Sequence, residues 1–311
     1  MTHSYKMAAE HYVASSPGCH ACILPLFGVA LLVVPAITSS PTADLPVKSA
    51  TFVTALYDIG RGEWPSFSRS FNQYLRRLHH LLQLEVDIVV FGDRRLKAFV
   101  REHRQTNRAR TTFVTKPFSK LDAFRHRPYI EDIMASAEFR QDNELLAHPE
   151  AFSADYVILV NSKAALLAQV VRTNPFNSSH VFWIDAGYVA TEDDEGAWQV
   201  QVPPRTAWRP RPLLELAGRI TYIALHSPSL FVNVTDLHKL SAEPAFAGGF
   251  FGGDVGAVAY YDRLFRKSFL RQLADGIADD DQGTAFAAYW EQPGIFNLVP
   301  GSWFDAYRLF H

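Results

Sequence analysis

The sequence predicts an α/β domain built on a mixed, mainly parallel sheet with helices on both faces. Three observations carry this. Short, β-rich apolar runs alternate with longer segments of helical periodicity. Their early order is β-α-β-α-β, in which each strand returns parallel to the last through a helical crossover. One later apolar run stops on a single carboxylate, as strands do at the ligand-binding edge of such sheets.

Residues 51–57 (TFVTALY) read as a buried strand. Phe67, Phe71, Tyr74, Leu75, Leu78, Leu81 and Leu82 then recur at helical spacing, which predicts an amphipathic helix with Arg69, Arg76 and Arg77 on its solvent side. Residues 86–91 (VDIVVF) form the next strand, 94–104 a charged helix and 112–115 a short strand. A helix is expected around 129–139 and a long one over 156–171, ended by Asn174-Pro175. Residues 180–184 (HVFWI) are a strand that stops at Asp185. An acidic turn (192–195), a proline-broken connection (203–212) and paired strands at 220–225 and 230–234 follow. Residues 246–253 are glycine-rich, and helices are expected at 257–273 and 281–290.

Composition narrows the class. The chain has 311 residues, 48% hydrophobic and 20% charged, enough for a single substantial core. Its formal net charge of −2 gives no broad basic field, so nucleic acid is not an expected partner. The two cysteines, Cys19 and Cys22, precede the globular part and neither staple it nor complete a zinc knuckle. Residues 23–37 are almost entirely apolar and uncharged, which suits a signal anchor or a signal peptide. The expected organisation is a tail (1–22), this segment (23–37), a short stem (38–50) and a domain over 51–311. Sequons at Asn177 and Asn233 fit a lumenal domain. The expectation is a single-pass type II membrane protein of the ER or Golgi, with secretion after cleavage as the alternative.

Three segments carry candidate chemistry. Asp185, in WIDAG (183–187), is placed to meet a metal or a ribose at the carboxyl edge of the sheet, or else simply caps a turn. A diphosphate leaving group calls for a divalent cation, and Mg²⁺ or Mn²⁺ prefers carboxylate and phosphate oxygens. In AGGFFGGD (247–254), Gly248, Gly249 and Gly252 allow close backbone approach to a sugar or phosphate; the alternative is a bulged strand. Asp280, Asp281 and Gln282 open a helix, where an acid either caps it or accepts a proton from an acceptor hydroxyl. Arg61 and Lys163 are candidate phosphate partners, and the terminal His311 a candidate metal ligand.

These pieces, in this order from about residue 51 to the C-terminus, resemble the HtrL/YibB family. The carrying segments are TFVTALYDIGRGEW, YVILVNSKAALL, NPFNSSHVFWIDAG, AGGFFGG and DDQ. That family is similar to GT-A-type nucleotide-sugar transferases. The resemblance implies a GT-A-like, single-domain fold, with residues 58–61 (Asp58 to Arg61) near the nucleotide. It implies that Asp185 matches the first acid of a D-x-D metal motif. Gly187 stands where the second acid belongs. It also implies that 280–282 lie near donor sugar and acceptor, and that His311 falls where relatives place a metal-binding histidine. The expected function is a glycosyltransferase that moves a sugar from a nucleotide-diphosphate donor to a glycan hydroxyl, with Mn²⁺ or Mg²⁺ as cofactor. The alternatives are an inactive GT-A-like glycan-binding or scaffold domain and a nucleotidyltransferase.

Overall fold

The structure is a computed structural model that describes residues 48–188, 208–232, 237–239 and 244–310. The apolar N-terminal segment, both cysteines, the acidic turn at 192–195, the Asn233 sequon and His311 lie outside the described residues. In chain order the elements are β1 (Ala50–Leu56), α1 (Phe71–Leu82), β2 (Asp87–Gly92), α2 (Arg94–His103) and β3 (Thr111–Thr115). Then come α3 (Arg127–Ala135), α4 (Ala137–Arg140), α5 (Pro149–Phe152), α6 (Ala154–Asn161), α7 (Lys163–Thr173) and β4 (His180–Ile184). The rest are α8 (Arg211–Leu214), β5 (Ile220–Ala224), β6 (Phe246–Asp254), α9 (Val255–Ala274), α10 (Asp281–Glu291), β7 (Phe296–Pro300) and α11 (Ala306–Leu309).

The strands form one seven-stranded sheet in the order β3-β2-β1-β4-β6-β5-β7. All neighbouring pairs are parallel except those of β6, which runs against both β4 and β5. This is the mixed, mainly parallel sheet that the sequence predicts. Alternate residues of the central strands face opposite ways, as the two-residue period requires. Val53, Val89, Phe91, Val181 and Trp183 enter one core with α6, α7, α9 and α10. Phe52, Ile88, Val90, Phe182 and Ile184 enter another with α1 and α2. Both faces are thus covered, which explains why these strands read as continuous apolar runs.

The structure differs from the sequence-based expectation at α1, at the expected 156–171 helix and at the expected 230–234 strand. Phe67 does not join α1, which starts at Phe71 behind a Ser70–Gln73 capping box. The expected 156–171 helix is two helices that meet at Ser162, whose hydroxyl donates to the Ile158 carbonyl and competes with the helical ladder. The run Ala154–Thr173 is apolar enough to cross a membrane, yet 67% of it is buried in the protein, as suits a core element. The expected strand at 230–234 is absent from the described residues, where Pro228–Phe231 forms a 3₁₀ turn; β5 pairs instead with β6 and β7. Arg77, expected in solvent, is 5% exposed. It shares a helical face with Tyr74 and Leu81, three residues before it and four after, and its guanidinium lies over the Tyr74 ring.

Candidate functional site

The site lies past the carboxyl ends of β1 and β4, where the first half of β6 runs on alongside. β4 delivers Asp185 past its last residue, and the Asp185 N–H donates to the Gly249 carbonyl at 2.9 Å, carrying the β4–β6 pairing one step further. β6 is bulged at this point. Its register against β5 jumps from Tyr222–Phe251 to Ile223–Ala247, so Gly248, Gly249 and Phe250 have no partner in β5. The glycine-rich segment is therefore a bulged strand and also part of the cleft wall. It offers carbonyls as well as close approach: the Gly248 carbonyl accepts a hydrogen bond from Lys163 Nζ at 3.1 Å.

Lys163 begins α7 immediately after the Ser162 break, and its ammonium is the hub of the site. It lies 3.1 Å from Asp185 Oδ1 and 2.9 Å from Asp281 Oδ2, the latter an ion pair too bent to be a good hydrogen bond. Trp183 Nε1 donates to the same Asp185 oxygen at 2.7 Å, which fixes that carboxylate. Asp281 is brought in by a tether between helices. The Asn161 amide donates to the Asp279 carbonyl, and Thr284 donates back to Asn161 Oδ1 at 2.7 Å. Gly248 makes room, since a Cβ there would stand 2.7 Å from Asp281 Oδ2.

Electrostatics follow from this packing. Burial works to lower the Lys163 pKa, and the Asp185 and Asp281 carboxylates outweigh it, so the ammonium stays charged well beyond neutral pH. Burial pushes Asp281 up to about 6, with Lys163 opposing and Asp185 adding to the rise. Next to it, Asp280 caps α10 by accepting from the Gln282 and Gly283 N–H groups. Burial raises Asp280 well above the usual carboxylate range, and repulsion from Asp279, Asp281 and Glu150 raises it further. Burial also lifts Asp279 to about 7.

A group whose folded pKa is raised contributes its stability below its unfolded value and loses it as pH rises through the folded one. For Asp279 that window runs from about 4 to about 7. Asp279→Asn keeps the oxygen that accepts the Asp280 N–H. It is expected to be more stable than the parent at pH 8, by about 1–3 kcal/mol, with the gap closing near pH 4. Urea unfolding at the two pH values reads this; an equal loss at both contradicts it.

The cleft encloses about 580 Å³ and is lined by Asp58, Arg61, Lys163, Asp185, Gly187, Gly248, Gly249, Asp281 and Gln282. These nine of the sequence-derived candidates converge. Asp58 is exposed, accepting the Gly60 N–H in the turn after β1. Arg61 is held over the rings of Trp64, Tyr74 and Tyr156 at 5.3–5.8 Å. Two candidates stand elsewhere. Asp280 opens on a neighbouring cavity. Gly252 lies within the sheet, not in the cleft: it pairs with Phe182, and a Cβ there would meet the Val181 carbonyl oxygen at 2.3 Å. Sequence reasoning missed Tyr74, Arg77, Tyr156, Trp183, Tyr188 and Trp303, which are among the other lining residues. Only Tyr74 and Arg77 carried a signal, their shared spacing with the buried leucines of α1.

Among the described residues no group of three or more His, Cys, Asp or Glu side chains converges as a metal cage. Asp185 is 39% exposed at its side chain and faces the cleft. That fits a Mg²⁺-like ion held by one carboxylate and substrate phosphate oxygens, and not an all-protein site.

Fold and cleft together define an α/β protein with a charged site at the carboxyl edge of its sheet. The chain belongs to the HtrL_YibB family, described as bacterial protein of unknown function, whose match spans residues 48–311. It is similar to Protein HtrL of Escherichia coli (strain K12), with 27% identity over 276 residues that cover 85% of this chain and 93% of that protein. Among solved structures it is similar to mouse xyloside xylosyltransferase 1 in its apo form. There the TM-score is 0.41 at 12% identity, covering 81% of this chain and 84% of the other.

Proposed function

We propose that the chain is a glycosyltransferase that moves a sugar from a nucleotide-diphosphate donor to a hydroxyl of a glycan acceptor. The observation that carries this reading is the meeting of Lys163, Asp185, Asp281 and the Gly248 carbonyl in one cleft at the sheet edge. Ligands of open α/β sheets bind at this edge. In the proposed reaction the acceptor oxygen bonds to the anomeric carbon. The bond from that carbon to the diphosphate oxygen breaks, and its electron pair leaves with the nucleoside diphosphate. The acceptor proton passes to a carboxylate or to water.

Each residue has a physical part in this. Arg61, at the cleft mouth, attracts the diphosphate. Asp185 presents a carboxylate to it, and a Mg²⁺ or Mn²⁺ ion bound there would neutralise charge on the leaving group. Lys163 is a positioning residue: it holds Asp185 and Asp281 at fixed separation. Asp281, ionised at neutral pH by its pKa of about 6, accepts a hydrogen bond or proton from a sugar hydroxyl. Gly187 in place of a second acid favours one competing reading, a glycan-binding domain without turnover.

Incubation with a panel of nucleotide-sugars plus Mn²⁺ or Mg²⁺, followed by assay of released nucleoside diphosphate, tests the proposal. At least one donor is expected to turn over, and Asp185→Asn to slow it by about 100-fold. Turnover unchanged in Asp185→Asn removes Asp185 from the mechanism; release of pyrophosphate instead points to nucleotidyl transfer.

A further inference from the structure

Next to the donor cleft is a larger cavity of about 930 Å³, within the range that encloses small ligands. The two cavities share Arg61, Phe67, Tyr156, Gln282 and Trp303, so they form one continuous depression with two lobes. The second lobe has walls of two kinds. One is aromatic: Phe67, Trp290 and Trp303 line it while 46%, 47% and 36% exposed, although rings of that size usually bury their faces. Phe67 is also a non-glycine residue at φ 54°, a costly conformation that sets its ring at the seam against His148. The other wall is acidic, made of Glu150, Asp279 and Asp280.

Arg61 is the one lysine or arginine among the described residues lining this lobe, and it sits at the seam, with its Nε donating to the Phe67 carbonyl. An anionic ligand would place its charge beside three carboxyl groups, and among the described lining residues only Arg61 and the histidines His148, itself 3.5 Å from Glu150, and His238 could offset it. A flat, uncharged, hydroxyl-rich ring meets no such penalty. Its C–H face packs on an aromatic ring, and its hydroxyls donate to carboxyl oxygens. Gln282 Oε1, buried at the seam with no hydrogen-bond partner among the described residues, is a further acceptor for such a hydroxyl.

We infer that this second lobe is the acceptor site and that the acceptor it takes is a neutral sugar ring, not an acidic one. The inference rests on the transferase reading for the word acceptor, though not for the sugar-binding lobe itself.

The test is titration of the full chain with neutral cello-, malto- and chito-oligosaccharides and with oligogalacturonates, read by tryptophan fluorescence. Nucleoside diphosphate binding is measured in parallel by calorimetry. At least one neutral series is expected to saturate, with the oligogalacturonates at least about tenfold weaker. Trp290→Ala, outside the donor cleft, is expected to weaken the neutral sugar about tenfold, and Trp290→Phe to restore most of it. Nucleotide binding with no neutral oligosaccharide bound, or with oligogalacturonate bound as tightly, overturns this inference alone. Sugar binding that responds to Trp290 with no nucleotide bound supports the sugar site and overturns the donor reading.

Discussion

Lys163→Met is expected to cost about 3–5 kcal/mol of folding stability and to abolish donor turnover. Lys163 is 6% exposed, and its ammonium answers two carboxylates and a carbonyl. Methionine fills much of the volume and removes the charge, leaving Asp185 and Asp281 facing each other. The pH dependence gives this prediction its sign. Lys163 is the charge that opposes the rise of the Asp281 pKa, so without it that pKa climbs above about 6. A carboxyl with a raised folded pKa loses its stability contribution as pH rises through that value. The gap between variant and parent is therefore small at pH 5 and widens toward pH 8. Urea midpoints at both pH values measure it. A gap below about 1 kcal/mol at pH 8, or one independent of pH, means that the lysine is not the hub of the site.

Gly252→Ala is expected to be equally severe for a different reason. Gly252 has φ +155°, and a Cβ there would lie 2.3 Å from the Val181 carbonyl oxygen and 2.6 Å from Phe182 Cα. Both atoms belong to the backbone of β4, the strand that carries Asp185. Relief requires β6 to separate from β4, so a loss of about 3 kcal/mol or more, or no soluble protein, is expected. Gly294→Ala is the control: a Cβ there meets nothing within 4 Å, and its effect should stay within about 0.5 kcal/mol. Comparable unfolding curves for the two variants would show that the β4–β6 contact is looser than described.

The parts of the fold that were legible in the sequence are those with an uninterrupted period. β1, β2 and β4 are mostly apolar because both faces are covered, and α1 announces itself by its leucines. β7 (FNLVP) was not legible: it is a parallel partner of β5 at the sheet margin, half-buried, with a polar residue and a proline in five. Residues 230–234 have the composition of a strand, yet over the described part, to residue 232, Pro228 opens a turn instead. Asp185, Gly248, Gly249 and Asp281 could be found because each sits at the end of a readable element. Gly252 could not be told from its neighbours, since only the register against β4 shows that it serves packing. The role of Lys163 depends on the Ser162 break, which a continuous helical pattern hides. The second lobe draws its walls from segments spread between residues 61 and 303, and no local pattern signals their meeting.

The central claim is that the cleft around Lys163, Asp185 and Asp281 holds a nucleoside diphosphate. Calorimetric titration of uridine, guanosine, adenosine and cytidine diphosphates into the full chain, with Mn²⁺ present, tests it most directly. One of them is expected to bind at a single site, and to bind at least about tenfold more weakly to Asp185→Asn. Binding of none of the four, or equal binding by the two proteins, contradicts the account.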